Sequence, residues 1–368
     1  MLVSLTAFRH TSDKPTATAD DPADRRIIIV DKVADHLPTL FPAVRELPGV
    51  TATVEFKKGT RWLSSWVADG YGPATPPTGY FVPVDVAAVD PNFYREFLPE
   101  GVKHHADTLA GGGAILSQTS SELRGIPSSG GISFNNGTGV GVGGVVDDSL
   151  TRNHEILVST EVGAQLGLAQ QYLVVAVSPE ADAGAIEAHI DASAPPGAGV
   201  RVRGSAGTGL EPLSALLSVA ELKRELGEFS ARPAAGRAIQ IHQGWIDKNT
   251  VETTVPVLAE QFRCHKVVVR QVEAAMAEIQ NRGLGHLVDT GDFGGCFTGR
   301  YISAGGDSNL SRHSWGAAFD LNVQGNLYGR QPTIDQRIVE IIESFGFSWG
   351  GHWDKPDGMH FEFIKRHP

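Results

Sequence analysis

The chain has 368 residues, of which 41% are hydrophobic and 20% charged, and its formal net charge at pH 7 is −11. This composition is typical of soluble globular proteins and argues against wholesale disorder. The length predicts two or three domains. The negative charge argues against a nucleic-acid partner, because binding to a phosphate backbone requires clustered Lys and Arg.

The first 25 residues predict a flexible N-terminal segment. Residues 9–25 are polar and contain two prolines, a composition typical of a linker. Residues 1–8 (MLVSLTAF) are apolar but lack a basic region before the apolar run. They fit either the remnant of a signal or membrane anchor that begins upstream, or an ordinary frayed terminus.

Residues 26–235 predict an α+β domain whose role the sequence does not reveal. RIIIVDKV (26–33), TATVEFKKG (51–59) and QYLVVAVS (171–178) have the composition of strands, and residues 213–229 have the pattern of a long amphipathic helix. GVGVGG (139–144) formally matches the nucleotide-binding pattern GxGxxG. Because no helix pattern follows it, a glycine-rich hairpin or exposed loop is the better interpretation.

Pro and Gly within residues 229–240 indicate a domain boundary, which leaves residues 236–368 as a second domain. This domain has helical periodicity over 266–282 and 332–346, the second with a predicted capping box at Thr333 and Gln336. AAFDLNV (317–323) and MHFEFI (359–364) have the alternation of strands. The second domain is therefore also α+β, with helices beside a small antiparallel sheet.

The two strand-like runs carry a candidate metal site. Alternation places Asp320 on the face opposite Phe319, and it separates His360 from its phenylalanine neighbours in the same way. His313 lies seven residues before Asp320, so a sharp turn at Gly316 would have to bring it back. Two imidazoles and one carboxylate suit zinc and leave an open position, as in catalytic zinc sites. Each residue alone also has an ordinary structural explanation.

Other polar residues nearby are candidates for supporting roles. Asp357 could act as the general base, although KPDG (355–358) is also a good turn sequence. Arg300 could bind a substrate carboxylate or an oxyanion, and a surface arginine is an equal alternative. The remaining candidates would act only by hydrogen bonds around the site: Ser311, Ser314, His352 and Glu362.

The two cysteines, Cys264 and Cys296, do not form a CxxC motif, which argues against a cysteine-rich zinc site. Their spacing is equally compatible with a disulfide and with two buried thiols.

These motifs resemble those of a known family. SRHSWGAAFDLN (311–322) resembles the SxHxxGxAxD motif of the M15 peptidases, the D-alanyl-D-alanine carboxypeptidase and L-alanyl-D-glutamate endopeptidase family, and WDKPDGMHFEF (353–363) resembles their second motif. The resemblance implies that His313, Asp320 and His360 are zinc ligands and that Asp357 is the catalytic base. GCFTGR (295–300) is similar to the segment that carries the family's substrate-contacting arginine, which implies that role for Arg300.

The resemblance covers about residues 255–368 and implies a small α+β fold that cuts D-amino-acid-containing stem peptides of bacterial peptidoglycan. Many carboxypeptidase members have glutamate as the base, while the endopeptidase branch often has aspartate, so the bond that is cut stays open. An extracytoplasmic location and a Cys264–Cys296 disulfide are also implied, and a membrane tether upstream is compatible.

Two alternatives to this hypothesis remain. One is a non-catalytic protein that holds cell-wall peptides on a peptidase-like fold, and the other is a zinc hydrolase with a substrate outside the wall. Residues 154–170 are similar to stretches in extracytoplasmic domains of membrane-bound transport proteins, but a wall-binding, partner-binding or regulatory N-terminal domain fits equally well. The sequence does not indicate the oligomeric state.

Overall fold

The computed structural model describes residues 26–31, 37–194, 200–205, 208, 210, 216–255, 257–258, 260–303, 309–353 and 355–367. The flexible segment predicted for residues 1–25 lies outside these residues. No helix in the described part of the chain is both long enough and apolar enough to cross a membrane.

The N-terminal part consists of one large sheet with helices packed against it. Its strands are β1 (Arg26–Asp31), β2 (Val50–Ala68), β3 (Val82–Val89), β4 (Ala114–Ser117), β5 (Gly130–Phe134), β6 (Gly139–Val146), β7 (Ile156–Ser159), β8 (Gln170–Val177) and β9 (Arg201–Gly204). Its helices are α1 (Leu37–Arg45), α2 (Pro91–Phe97), α3 (His105–Ala110), α4 (Gln118–Arg124), α5 (Thr160–Gln165) and α6 (Ala183–Ser193).

Strand pairing closes part of this sheet into a ring. The strand order is β3-β7-β4-β6-β5-β2-β8-β1-β9, and β3 also pairs with β2, so strands β2 to β7 form a closed circuit. The β3–β7 and β4–β6 pairs are parallel, and the others are antiparallel. Buried aliphatic side chains from all six strands of the circuit form one hydrophobic cluster. The sheet is therefore mixed, and further apolar residues of its strands pack against the helices in two other clusters.

The glycine-rich stretch at residues 139–144 forms the start of β6, which pairs antiparallel with β5. Every second residue of β6 is buried, beginning at Val140, while Gly139, Gly141 and Gly143 are exposed and Val145 is half-buried. The prediction of a glycine-rich hairpin is therefore confirmed, and no helix opens behind this stretch as a nucleotide-binding loop would require.

The C-terminal part begins with a connecting helix and contains three smaller sheets. Its helices are α7 (Val219–Leu226), α8 (Gln243–Asn249), α9 (Lys266–Asn281) and α10 (Gln336–Ser344). Its strands are β10 (Ala231–Pro233), β11 (Ile239–Ile241), β12 (Thr250–Thr254), β13 (Gln261–His265), β14 (Phe293–Gly295), β15 (Ala318–Leu321), β16 (Phe347–Trp349) and β17 (His360–Phe363).

An antiparallel sheet of four strands, in the order β14-β15-β17-β16, occupies the centre of the C-terminal part. Helices α9 and α10 contribute to the same hydrophobic cluster as this sheet. The predicted apolar face of α9 is buried throughout: Val268, Val272, Ala275 and Ile279. The chain is thus a mixed α/β protein with several sheets, and the peptidase fold itself remains a prediction.

Helix α10 begins later than predicted. The predicted N-cap, Thr333, instead donates its backbone N–H to the Asn326 side chain at 2.7 Å. Asp335 caps the helix by accepting from the backbone N–H of Arg337 at 2.9 Å. The Asn326 side chain thus holds the backbone at Thr333, and the helix begins with Asp335 as its N-cap, two residues after the predicted one.

Helix α7 is shorter than the run predicted over residues 213–229, of which 213–215 lie outside the described residues. Ser218 and Glu221 form a reciprocal capping box that begins the helix. Gly227, at φ +88°, ends it. The capping pair inside the amphipathic run, which the periodicity alone does not reveal, sets the helix boundary.

Buried charges connect α7 to the N-terminal sheet. Lys223 places its ammonium group 2.9 Å from both carboxylate oxygens of Glu155, the residue that directly precedes β7. Arg124 contacts Glu155 at 3.1 Å and Glu228, just beyond α7, at 2.6 Å. The side chains of Lys223, Glu155 and Arg124 have no exposed surface.

Trp62 of β2 forms a second contact between the two parts of the chain, since its Nε1 donates to the Tyr301 hydroxyl at 3.0 Å. The division into domains 26–235 and 236–368 stays a prediction.

His265 joins α7 to α9 and is buried in its neutral form. Its Nδ1 accepts the backbone N–H of Val267 at 3.2 Å and so caps α9. Its Nε2 donates to the carbonyl of Leu226, the last residue of α7, at 3.0 Å. Burial lowers the pKa of His265 to about 4. A protonated ring would point a hydrogen at the N–H of Val267, so charging it removes the cap.

We therefore expect stability to fall in acid. The pKa of His265 is lower in the folded protein than in the unfolded chain, so the unfolded state binds more protons between pH 6.5 and about 4. The contribution of His265 is complete above pH 6.5 and is lost as the pH falls to about 4, a total of about 3 kcal/mol.

Urea unfolding across this pH range, compared between the wild type and His265→Asn, checks the expectation. Asparagine can also cap a helix but does not titrate there, so the variant should lose less stability in acid. Parallel pH profiles for the two proteins would contradict the assignment.

Candidate metal centre

The pairing of β15 with β17 brings two of the predicted site residues together. Asp320 lies directly opposite His360 in the antiparallel register, and Asp320 Oδ1 is 2.8 Å from His360 Nδ1. On the other face, Phe319 and Phe361 stack with their ring centroids 5.3 Å apart, and both are fully buried. Alternation along the strands thus places the aromatic rings in the core and both polar side chains on the opposite face.

A tight turn delivers His313. It lies in the short 3-10 helix Arg312–Trp315, which Ser311 caps by accepting the backbone N–H of His313 at 3.3 Å. Gly316 ends this helix in the left-handed region, at φ +60°. A Cβ atom at Gly316 would lie 2.5 Å from the backbone N of His265. Both the backbone angle and the space therefore require glycine, and the sharp turn predicted at this position is present.

Only one nitrogen of each imidazole faces the centre of the group. His313 Nε2 lies 3.3 Å from His360 Nδ1 and 3.4 Å from Asp320 Oδ2. The other nitrogen of His313 contacts the carbonyl of Cys296 at 2.8 Å, and that of His360 contacts Glu362 at 3.0 Å. A carbonyl can only accept, and a carboxylate prefers to accept, so these outer nitrogens carry the hydrogens. When the rings are neutral, the inner nitrogens therefore carry the lone pairs that can bind a cation.

This donor set fits a zinc ion. Zn–N and Zn–O bonds of about 2.0–2.1 Å in a tetrahedron separate neighbouring ligand atoms by about 3.3 Å. The inner nitrogens of His313 and His360 are 3.3 Å apart, and each lies 2.8–3.4 Å from one carboxylate oxygen of Asp320. Among the His, Cys, Asp and Glu side chains of the described residues, His313, Asp320 and His360 form the group of three that lies close enough together to share a metal ion. Three protein donors of this kind leave a further position open, as in catalytic zinc sites.

The pKa shifts of Asp320 and His360 show that these two side chains interact strongly. Burial alone would raise the pKa of Asp320, but hydrogen bonds to His313 and His360 outweigh burial and hold this pKa well below its usual range. Burial alone would lower the pKa of His360, but its hydrogen bonds to Asp320 and Glu362 raise it. A proton on His360 and a divalent cation would therefore compete for the same space.

Asp357 lies beside the three donors on the loop before β17. Its backbone N–H donates to the carbonyl of Gly350 at 2.9 Å, and its own carbonyl accepts from His360 at 3.0 Å in a turn. Its Oδ1 is buried and has no hydrogen-bond partner in the described part of the chain. Burial raises the pKa of Asp357, and the nearby charge of Asp320 raises it further against the effect of His360. Asp357 is therefore both a turn residue and a carboxylate more basic than usual.

Arg300 borders the same space. Its backbone N–H donates to the Ser314 hydroxyl at 3.1 Å, and that hydroxyl in turn donates to the Arg300 carbonyl at 3.1 Å. Burial lowers the pKa of Arg300, while interactions with Asp320 and Asp357 raise it. Arg300 as a whole is half-buried. Ser314, one of the predicted supporting residues, therefore holds the backbone of Arg300 beside the carboxylates.

A disulfide joins Cys264 to Cys296, as the family resemblance implied. Both sulfur atoms lie near the carbonyl of Gly316, at 3.3 and 3.4 Å. The carbonyl of Cys296 accepts from His313. The disulfide thus fixes the backbone that orients one of the candidate ligands.

The structure separates the remaining predicted residues. Glu362 contacts His360, whereas His352 is exposed and pairs with Glu343 at 3.3 Å, away from the site. The sequence interpretation missed Arg312, which lies 3.8 Å from Glu362. It also missed Trp353, whose ring centroid lies 5.6 Å from that of His360. Alternation along β17 could have separated Glu362 from His352, but Arg312 and Trp353 carried no comparable signal.

Comparison with known families agrees with the motif. Residues 304–363 match the family described as D-alanyl-D-alanine carboxypeptidase, Peptidase_M15_4. The matched range contains His313, Asp320, Asp357 and His360 but not Arg300. The predicted resemblance of the C-terminal part to the M15 peptidases is therefore confirmed. None of the curated proteins compared with the chain matches it.

Solved structures that resemble the chain cover about half of it or less. The periplasmic region of MacB from Actinobacillus actinomycetemcomitans is 11% identical and covers 48% of this chain and 87% of its own, with a TM-score of 0.33. The extracellular domain of the noncanonic ABC-type transporter YknZ from Gram-positive bacteria is 14% identical and covers 44% of this chain and 88% of its own, with a TM-score of 0.29. At these TM-scores the likeness says nothing about activity.

The turn at Gly316 allows a test of the site's geometry with a matched control. Gly316 and Gly283 both have positive φ, at +60° and +73°, but an added Cβ meets the backbone of His265 only at Gly316. We expect Gly283→Ala to cost about 1–2 kcal/mol for the left-handed backbone alone. Gly316→Ala should cost more and should also weaken zinc binding, because the turn carrying His313 must shift.

Urea unfolding and zinc titration of both variants measure the two effects. Equal losses of stability, together with unchanged zinc affinity in Gly316→Ala, would show that this turn does not position the ligand.

Proposed function

We propose that the C-terminal part is a zinc metallopeptidase that hydrolyses D-amino-acid-containing peptide bonds of bacterial peptidoglycan, as a D,D-carboxypeptidase or an L-Ala-D-Glu-type endopeptidase. The observation that carries the proposal is the convergence of His313, Asp320 and His360 near Asp357, whose Oδ1 is buried without a hydrogen-bond partner in the described residues. The match of residues 304–363 to a carboxypeptidase family supports the substrate class.

His313 through Nε2, His360 through Nδ1 and Asp320 would hold the ion, because these atoms converge and their other polar contacts orient them. A zinc ion there would polarise a carbonyl and lower the pKa of water. The protein surroundings supply orientation and a low dielectric, since all three side chains are mostly buried.

Asp357 is the proposed general base. The charges of His360, Asp320, His313 and Arg300 all act on its pKa, which supports a place near the proposed ligands. Its raised pKa suits a group that takes a proton from the attacking water and passes it to the leaving amine. An ordinary exposed aspartate would be too weak a base to do this efficiently.

Arg300 is the proposed anion-binding group. Its guanidinium could stabilise the oxyanion formed at the scissile carbonyl or bind a carboxylate of the stem peptide. Its position near Asp320 and Asp357 supports either role.

We also propose an extracytoplasmic location. The Cys264–Cys296 disulfide supports this, because such bonds persist in oxidising compartments. A peptidoglycan substrate would be found in the same place.

Removing the base should separate chemistry from metal binding. We expect Asp357→Asn to lose at least about 100-fold in the rate of muropeptide cleavage, because the amide cannot accept the proton. Zinc content should stay at the wild-type level, since His313, Asp320 and His360 are intact. Mass spectrometry of products from defined muropeptides measures the cleavage and also identifies the bond.

The exposed carboxylate Asp289 provides the control, and Asp289→Asn should cleave at the wild-type rate. Full activity of Asp357→Asn would disprove the assignment of the base. A wild-type protein that binds zinc and muropeptides without cutting them would instead indicate the non-catalytic wall-peptide-binding alternative.

Zinc binding should release a proton near neutral pH. The pKa of His360 is raised above its ordinary value, so the metal-free protein carries a proton that the ion must displace. We expect apparent zinc affinity to fall about tenfold for each pH unit below that pKa. Calorimetry in two buffers of different ionisation enthalpy counts the released protons. Identical binding heats in both buffers would contradict the expectation.

A further inference from the structure

The outer nitrogen of His360 faces a carboxylate that is not among the candidate ligands. Glu362 lies two residues after His360 on β17, on the same face, with its Oε1 3.0 Å from His360 Nε2. It is buried, at 7% exposure. Its partners across the sheet are the small residues Ala318 and Ser348, which leave room for the carboxylate beside the backbone. β17 is paired on both sides, so this geometry belongs to a rigid element.

A buried carboxylate needs a compensating charge, and Arg312 provides it. Its Nε lies 3.8 Å from Glu362 Oε2. Arg312 directly precedes His313, so the same short helix carries a candidate ligand and the cation that faces Glu362. Arg312 is therefore adjacent in sequence to one candidate ligand, His313, and faces the carboxylate that contacts the other, His360.

Arg312 is in turn anchored on the connection between the two parts of the chain. Its Nη2 donates to the carbonyl of Leu217, which immediately precedes the capping box of α7. Lys223 of that helix is held by the buried carboxylate of Glu155 in the N-terminal part. A continuous series of contacts therefore leads from the N-terminal sheet to the outer nitrogen of His360.

We propose that Glu362, held by Arg312, is a positioning residue that sets the tautomer of His360 and thereby its affinity for a divalent cation. The inference rests on the metal centre of the proposed function. Once His360 loses its extra proton to the ion, a carboxylate acceptor keeps the remaining hydrogen on Nε2 and leaves the Nδ1 lone pair for the cation. It also makes the imidazole a stronger donor, an effect that an amide in the same place cannot match.

The test measures metal binding rather than cleavage. Zinc affinity is obtained by competition with a chromophoric chelator, and the geometry of the site is read from the visible spectrum of the Co²⁺-substituted full-length protein. We expect Glu362→Gln to weaken zinc binding about 10- to 100-fold and to change the Co²⁺ spectrum. Arg312→Gln, which leaves His360 and Glu362 in place, should shift both in the same direction by less.

The matched control is Glu343→Gln. Glu343 also pairs with a histidine, His352, but that pair lies on the surface away from the site. We expect this variant to keep the wild-type affinity and spectrum. Circular dichroism and thermal unfolding of every variant show whether it folds, and Arg312→Gln carries the test if Glu362→Gln does not.

Zinc affinity within twofold of wild type and an unchanged Co²⁺ spectrum in Glu362→Gln would overturn the inference, as would an equal change in Glu343→Gln. A wild-type protein that takes up neither ion would overturn both this inference and the proposed function. A wild-type protein that binds Co²⁺ but cuts no muropeptide would contradict the proposed hydrolysis alone, and the spectrum of Glu362→Gln would still decide the role of this residue.

Discussion

The candidate site depends on the register between β15 and β17. Because Asp320 pairs directly with His360, their side chains meet on one face while Phe319 and Phe361 stack on the other. A shift of one residue would move the carboxylate into the core and a phenylalanine to the polar face. The burial of the two aromatic rings therefore keeps the register and, with it, the metal-binding geometry. Stability of the sheet and convergence of the donors have the same cause.

The site also depends on the exclusion of water. Asp320 is held charged by two histidines, whereas Asp357 Oδ1 has no hydrogen-bond partner among the described residues and burial raises the pKa of Asp357. The pKa values of the two carboxylates are thus shifted in opposite directions. The lowered pKa suits Asp320 to hold a cation, and the raised pKa suits Asp357 to accept a proton. The difference arises from their hydrogen-bond partners and not from residue type, since both are aspartates.

The C-terminal part does not stand apart from the rest of the chain. The ion pairs of Lys223 and Arg124 with Glu155 are fully buried, so separating α7 from the N-terminal sheet would leave unpaired charges in a medium of low dielectric. The contact of Trp62 with Tyr301, next to Arg300, reaches the other side of the site. The N-terminal part therefore supports the segments that carry candidate site residues, in addition to any role of its own.

Local pattern was enough to predict the strands that carry Asp320 and His360, helix α9 and the turn at Gly316. Each of these depends on alternation, on helical periodicity or on the conformational freedom of glycine, which neighbouring residues along the chain determine. The candidate ligands were recognisable for the same reason, because the motif compresses them into two short segments. Element boundaries were less predictable. At α10, the Thr333 backbone bonds to Asn326, and the sequence does not announce this contact.

By itself, the sequence determined which residues can form the site: two histidines, two aspartates and an arginine, in segments whose alternation separates them from the core. Only the tertiary structure decided which of their neighbours take part. It placed Glu362 against His360, removed His352 to the surface, and brought Arg312 into contact with Leu217 across 95 positions of the chain. The physical reason is that hydrogen bonds and desolvation act between atoms close in space, whereas periodicity reports only which side of a strand or helix a residue occupies.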